Sequence, residues 1–181
     1  MARRLVPRLA AAAALLVTAA ASLPAAALPA GSEGAAATLA QLQSGVLDQL
    51  NTVRRAHGLV PLTLSPGLTA AAEEHTAEML SDGYFAHESA DGSPFWKRIE
   101  RFYPHLGSGY WSVAENLLWS GGPIDAKQAL ATWMASAGHR ENILTPEYRQ
   151  IGISARFATG ATGPYAGFPV TVIDTDFGVR R

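Results

Sequence analysis

The sequence contains no cysteine among its 181 residues. Disulfides are therefore excluded, and so are thiol catalysis and metal sites built from thiolates. Any metal ion would have to be held by nitrogen and oxygen ligands. Because no covalent link supports the fold, we expect a domain that relies on its core and on tight local structure.

The sequence also lacks an apolar run long enough to span a bilayer. Residues 9–23 are an almost unbroken series of Ala, Leu and Val, about 15 residues against the roughly 20 that a spanning helix needs. Three arginines precede this run, and an A-x-A pattern ends at Ala27. These features predict a secretory signal peptide over residues 1–27 and a secreted, extracellular product. An uncleaved N-terminal anchor is the alternative.

Positive charge is scarce once the signal is removed. The whole chain has 14 basic and 15 acidic side chains, and three arginines leave with residues 1–27, so 11 basic residues face 15 acidic ones, a formal charge of −4. A nucleic-acid partner needs a clustered basic face, and anionic lipid attracts a polybasic segment. We therefore expect no nucleic-acid partner. We also expect no transmembrane anchor in the mature chain, and a monomer.

The mature chain of about 154 residues is long enough for one domain that buries about two-thirds of its unfolded surface. Residues 28–42 are small and uncommitted, and we predict a flexible lead-in there, followed by a single domain over residues 43–181. Apolar spacing and start and stop residues predict four helices. They cover residues 46 to Gly58, Ser65 to Gly83, Ser93 to Pro104, and Pro123 to Gly138.

The last third of the chain changes to the pattern of strands. Apolar residues alternate with small or polar ones from Ile151 to Phe157, and residues 169–174 are rich in β-branched side chains. A Gly/Pro-rich turn over residues 160–167 separates the two runs, and a weaker strand covers residues 112–118. Helices first and strands late predict an α+β domain with an antiparallel sheet.

Three residues are candidates for a common site: His87, Glu115 and His139. We place both histidines in loops, just past the second and fourth helices, where a rigid scaffold often presents functional side chains. Glu115 is an acid in an apolar stretch, and a partly buried carboxylate needs a partner or a shifted pKa. By spacing alone the trio is weak evidence, because the chain has no HExxH or comparable ligand pair. We expect His75, in mid-helix, to be a hydrogen-bonded structural residue.

The flanking residues add a resemblance to a known family. Six short segments occur in a fixed order: Phe85–His87, Asp91–Trp96, Ala114–Leu117, Trp133–Met134, Ser136–Leu144 and Ile151–Ile153. This series resembles the bacterial branch of the CAP superfamily, which groups cysteine-rich secretory proteins, antigen 5 and pathogenesis-related proteins. It covers nearly all of the mature chain. The resemblance implies a three-layer α-β-α sandwich with a central antiparallel sheet and a surface cleft lined by two histidines and one or two glutamates.

The resemblance also implies roles for the three residues. By motif, His87 matches the first cleft histidine, Glu115 the first glutamate and His139 the second histidine. Ser136 stands where animal and plant members carry the second glutamate, so the full tetrad is absent. Some members bind zinc or another divalent cation through the two histidines, and we predict His87 and His139 as metal ligands. Two alternatives remain open: the cleft binds another ligand without a metal, or the three residues only hydrogen-bond and hold the two loops together.

The resemblance implies a secreted binding module that holds a divalent cation or a small apolar or amphiphilic ligand without turnover. The alternative is a metal-dependent hydrolase acting on extracellular or cell-envelope polymers, with Glu115 as general base. The sequence favours binding, because it has no nucleophile elbow and no paired acid and base carboxylates. An envelope protein with a vestigial site is the third hypothesis.

Overall fold

This computed structural model describes residues 30–107 and 109–181, with side chains from residue 38. The described residues form five α-helices, four strands and one short 3-10 helix (Gly163–Tyr165). In chain order the elements are α1 (Ala30–Ala56), β1 (Thr63–Leu64), α2 (Pro66–Asp82), α3 (Phe95–Phe102), β2 (Trp111–Gly121), α4 (Ala126–Ala135), α5 (Ala137–Leu144), β3 (Gln150–Ala158) and β4 (Val170–Arg180). The predicted signal peptide over residues 1–27 lies outside the described residues. Within the described ranges, no helix has the length and apolar character needed to cross a membrane.

The first helix begins earlier than the predicted domain. It starts at Ala30, so a helix replaces the predicted flexible lead-in over most of residues 28–42. The physical reason is that alanine is the best helix former and that the apolar stripe extends further back than predicted. Leu42 is buried in the same core cluster as Val46 and Leu50.

Local chemistry sets the helix starts as the sequence predicts. The Ser65 hydroxyl accepts a hydrogen bond from the Leu68 amide, Pro66 is the first residue of α2, and Gly83 ends the helix in a left-handed conformation with φ 70°. The third predicted helix is confirmed as α3, which follows Pro94.

The fourth predicted helix is two helices. Extended backbone at Ser136 separates α4 from α5, and His139 lies inside α5. The prediction of a loop at His139 is therefore wrong. Gly138 led to that prediction as a helix stop, but it lies in the first turn of α5, where Ser136 is the N-terminal cap position.

The sheet has the order β1-β3-β4-β2. Its three long strands are antiparallel, as predicted: β4 pairs with β3 on one side and with β2 on the other. The two-residue β1 pairs in parallel with β3, so the sheet is mixed at this edge rather than purely antiparallel. A two-residue strand is too short to show an alternating pattern, which is why no strand was predicted there.

Alternation along β4 divides the core into two halves on opposite faces of the sheet. Ile173, Phe177 and Val179 belong to the cluster that packs with α1, α4 and α5. Val170 and Val172 pack with Met79 of α2. Helices therefore cover both faces of the sheet, and the predicted α-β-α layering is confirmed. Asp174 and Asp176 share the parity of Val172, which places them on the face beneath α2.

Candidate functional site

Glu115 is the centre of the site. It lies on β2 with only 4% of its surface exposed, on the face covered by α2 and α3. One carboxylate oxygen, Oε1, accepts a 2.6 Å hydrogen bond from Nδ1 of His87. The other, Oε2, forms an ion pair with Nη2 of Arg98. Both oxygens are thus engaged by groups from outside the sheet.

His87 lies in the loop between α2 and α3, and its side chain is about half exposed at 49%. Because a carboxylate oxygen only accepts, the ring donates its Nδ1–H to Glu115, and the lone pair of the neutral ring is on Nε2. The hydrogen bond to Glu115 is the largest effect on this ring and raises the pKa of His87, against the opposing effect of burial.

His139 reaches the same region from the other side of the sheet edge. Asn116, next to Glu115 on β2, donates from Nδ2 to the backbone carbonyl of His139 at 3.1 Å. Asn142 of α5 donates to the carbonyl of Glu115 at 3.2 Å and to Oδ1 of Asn116 at 2.8 Å. These amide contacts fasten the start of α5 to the middle of β2.

The ring of His139 is half-buried. Its Nδ1 is buried and has no hydrogen-bond partner among the residues that the structure describes. Burial lowers the pKa of His139, and the charge that His87 carries when it is protonated acts in the same direction. Of the two imidazoles in the predicted trio, only that of His87 bonds to Glu115.

Arg98 holds this arrangement together, and it was not among the residues predicted from the sequence. The side chain on α3 is fully buried. Besides its ion pair with Glu115, Nη1 donates to the Ser89 hydroxyl at 2.9 Å and to the backbone carbonyl of His87 at 3.4 Å. Its position could have been found from the pattern, because residue 98 falls on the apolar face of α3 between Phe95 and Ile99.

His75 lies directly behind the site. As predicted, it is a hydrogen-bonded helix residue: Nε2 donates to the carbonyl of Ala86 at 2.9 Å. The sequence did not predict that Nε2 of His75 lies 3.9 Å from Oε2 of Glu115. Burial is the main cause that lowers the pKa of His75 to about 3, with the charge of Arg98 as the next cause, so this ring is neutral over the physiological range.

Asp174 and Asp176 on β4 complete the buried polar group. Both are fully buried, and all four carboxyl oxygens lack a hydrogen-bond partner within the described part of the chain. Burial raises the pKa of both side chains well above the ordinary value, and the negative charge of Glu115 acts in the same direction. Two acids two residues apart in a β-branched run share one face of a strand, a pattern that could have identified them.

One set of three side chains in this region has the spacing of metal ligands. His75, Glu115 and Asp174 each offer one ligand atom, and these atoms lie within 4.8 Å of one another. This set differs from the predicted ligands, His87 and His139, and shares only Glu115 with the predicted trio. The region therefore has an outer part, with two histidines, and a buried part, with three acids.

Comparison with known proteins decides the family. The model of the cysteine-rich secretory protein (CAP) family matches residues 47–171. The chain belongs to this family. YkwD of Bacillus subtilis (strain 168) is 30% identical over 120 residues, which are 66% of this chain and 44% of that protein. The membrane protein YlbC of the same organism is 27% identical over 108 residues, 60% of this chain and 30% of YlbC. The chain thus spans less than half the length of these relatives.

Solved structures show the same CAP fold. An extracellular protein containing an SCP domain from Bacillus anthracis str. Ames is similar with a TM-score of 0.58 and 22% identity, over 87% of this chain and 45% of that one. An outer surface protein from Borrelia burgdorferi has a TM-score of 0.58 and 18% identity, over 75% of this chain and 90% of that one. At these identities the likeness concerns the fold.

Proposed function

We propose that this CAP domain is a secreted binding module whose cleft, formed by His87, Glu115 and His139, holds a divalent cation without turnover. The observation that carries the proposal is the 2.6 Å hydrogen bond between Nδ1 of His87 and Glu115. A histidine that binds a metal through one ring nitrogen usually donates the other to a carboxylate, which fixes the tautomer and the orientation of the ring. His87 has this partner.

The donor set fits such an ion. His87 offers the lone pair of Nε2, and His139 carries a buried ring nitrogen that lacks a partner among the described side chains. Two neutral imidazoles suit zinc, with water or another molecule completing the coordination. A bound zinc ion would supply a Lewis acid that polarises an oxygen atom. Glu115 orients His87 and is not a ligand of the cleft ion, because Oε1, its oxygen on the side of the cleft, accepts from His87.

The same contacts weigh against the hydrolase alternative. A general base must be able to accept a proton from water, yet the Glu115 carboxylate is already held by Arg98 and by His87. Ser136 offers no second carboxylate. We therefore favour binding over catalysis.

Zinc titration by calorimetry tests the cation proposal. We expect one site in the wild type, no measurable binding in His87→Ala or His139→Ala, and about 10–100-fold weaker binding in Glu115→Gln, which acts through His87. His105→Ala is the matched control, because this exposed histidine stacks on Trp111 away from the cleft. Wild-type affinity in both cleft variants would disprove the proposal.

A separate cavity supports a small apolar or amphiphilic ligand as the second candidate. It has a volume of about 410 Å³ and lies between α1, the segment before α4, and β3, within the size range of small-molecule sites. Its apolar lining includes Leu39, Leu42, Pro123, Ile124, Ala126 and Phe157. None of the cleft residues lines it.

Binding of a fluorescent fatty acid tests this second candidate. We expect Ile124→Asp to weaken binding at least tenfold, because a charge in the apolar lining has to be desolvated by the ligand. His87→Ala should bind the probe like the wild type. If Ile124→Asp binds equally well, this cavity is not the ligand site.

A further inference from the structure

Three acidic side chains form a row on the sheet face beneath α2. Glu115 on β2 is directly opposite Asp176 on β4 in the antiparallel register, and Leu117 is opposite Asp174. Because side chains alternate along a strand, Glu115, Asp174 and Asp176 point to the same face. All three are buried, with at most 4% of their surface exposed.

The positive charge around this row does not balance the negative charge. Arg98 is the one fully buried guanidinium that the described residues bring to the row, and its ion pair is with Glu115. His75 donates Nε2–H to the Ala86 carbonyl and bonds to neither aspartate. Three carboxylates against one guanidinium leave two uncompensated negative charges. A buried charge without a partner costs several kcal/mol, so two protons or one divalent cation must occupy the row.

The spacing of two of the carboxylates, Glu115 and Asp174, suits a cation. Ligand atoms of Glu115, Asp174 and His75 lie within 4.8 Å of one another. Asp176, outside that set, is an independent indication of a ligand: it is fully buried, it faces Glu115 across the strands, and neither of its oxygens has a partner in the described chain.

The chemistry of the available atoms indicates which cation. His75 already donates Nε2–H to the Ala86 carbonyl, so that nitrogen has no lone pair to offer. The remaining atoms of that set are carboxylate oxygens. Oxygen-only sites select hard cations such as calcium and magnesium rather than zinc.

We propose that Asp174, Asp176 and one oxygen of Glu115 bind a single hard divalent cation of the calcium or magnesium class, in a buried site separate from the His87–His139 cleft. The cation exchanges with two protons, so the charge of the buried row is the same in both states. The proposal does not rest on zinc binding in the cleft, because its ligands Asp174 and Asp176 take no part there.

Elemental analysis and thermal melting test the buried site with the mature protein, first stripped by a chelator and then dialysed against calcium, magnesium or zinc. We expect about one calcium or magnesium ion per chain. The melting temperature should rise by roughly 5–10 °C when calcium exceeds Kd about a hundredfold. His105→Ala should keep both responses, whereas the double variant Asp174→Asn/Asp176→Asn should lose them.

The isosteric asparagines also test the proton alternative. If protons occupy the row, the wild type contains no calcium or magnesium, its melting temperature is the same with chelator and with millimolar calcium, and the asparagine variant is at least as stable. That result would overturn the proposal, as would calcium binding retained by the asparagine variant. If the double variant does not fold, the single variant Asp176→Asn and the wild-type melting curves give the same decision.

Discussion

Replacing Arg98 with methionine is expected to destabilise the fold far more than the same change at Arg101. The two arginines lie on the same short helix, and each pairs with a glutamate: Arg98 with Glu115, and Arg101 with Glu74. The pairs differ in exposure. The side chains of the first are 0% and 1% exposed, and those of the second are 59% and 40% exposed. Arg101→Met is therefore a control that changes the same chemical group in a different environment.

The expected magnitudes follow from burial. Removing one partner of a buried ion pair leaves a charge that water cannot reach, and this costs about 3–5 kcal/mol. An exposed pair contributes about 0–1 kcal/mol. Arg98→Met also removes the bonds from Arg98 to Ser89 and to the backbone of His87, so we place it at the upper end of its range. The change is comparable to the whole stability of a small domain, about 5–15 kcal/mol.

Urea unfolding followed by tryptophan fluorescence measures both changes, since the chain has four tryptophans. With a slope of about 2 kcal/mol per molar, Arg98→Met should lower the midpoint by about 2.5 M and Arg101→Met by less than about 0.5 M. A double variant, Arg98→Met/Glu115→Leu, should be more stable than Arg98→Met alone, because it leaves no unpaired charge. Equal midpoints for the two single variants would refute the argument from burial.

Three further predictions concern pH and packing. Burial lowers the pKa of His75 in the folded protein to about 3, against an ordinary value of 6.5. Below about pH 6.5 the unfolded chain therefore takes up a proton that the folded chain does not. The free energy of unfolding should then decrease toward pH 3 by up to about 1.4 kcal/mol per pH unit. In urea unfolding across this range, His75→Gln should lack that component. Because its hydrogen bond to Glu115 raises the pKa of His87, zinc affinity measured by calorimetry should decrease as pH falls through that raised value. Gly152→Ala should lower the free energy of unfolding in urea by about 1–3 kcal/mol, because a Cβ at this position would lie 2.0 Å from the Leu68 carbonyl carbon. Gly121→Ala is the control and should be nearly neutral, because a Cβ there meets nothing within 4 Å.

The parts of the fold that depend on neighbouring residues were predictable from the sequence. The start of α2 at Ser65 and Pro66 and its end at Gly83 follow from capping chemistry within a few residues. The alternation of β3 is likewise local. The parts decided by tertiary contacts were not predictable: β1 exists only because Thr63 and Leu64 pair with the start of β3.

The residues of the candidate site also divide into those that the sequence predicted and those that it did not. The family motifs around His87 and Glu115 led to the expectation that both belong to one region, and a hydrogen bond joins these two residues across 28 positions of the chain. Arg98, Asp174 and Asp176 were missed, because a charged residue in an amphipathic helix or a strand is ordinarily assigned to the solvated face. The spacing of these residues along α3 and β4 indicates which face they share with apolar neighbours, and the packing of α2 and α3 onto the sheet shows that they are buried.

Glu115 connects the two parts of the polar region, and one pair of variants separates its roles. Its Oε1 orients His87 at the surface, while Oε2 faces Arg98 and the buried acids. Glu115→Gln should therefore weaken zinc binding in the cleft and calcium binding in the buried row together. Asp176→Asn should weaken calcium alone, because Asp176 is opposite Glu115 but does not contact the cleft histidines through any hydrogen bond in the described chain. If Asp176→Asn reduced zinc binding as much as Glu115→Gln does, the outer and inner groups would be one site, and the separation between them would be wrong.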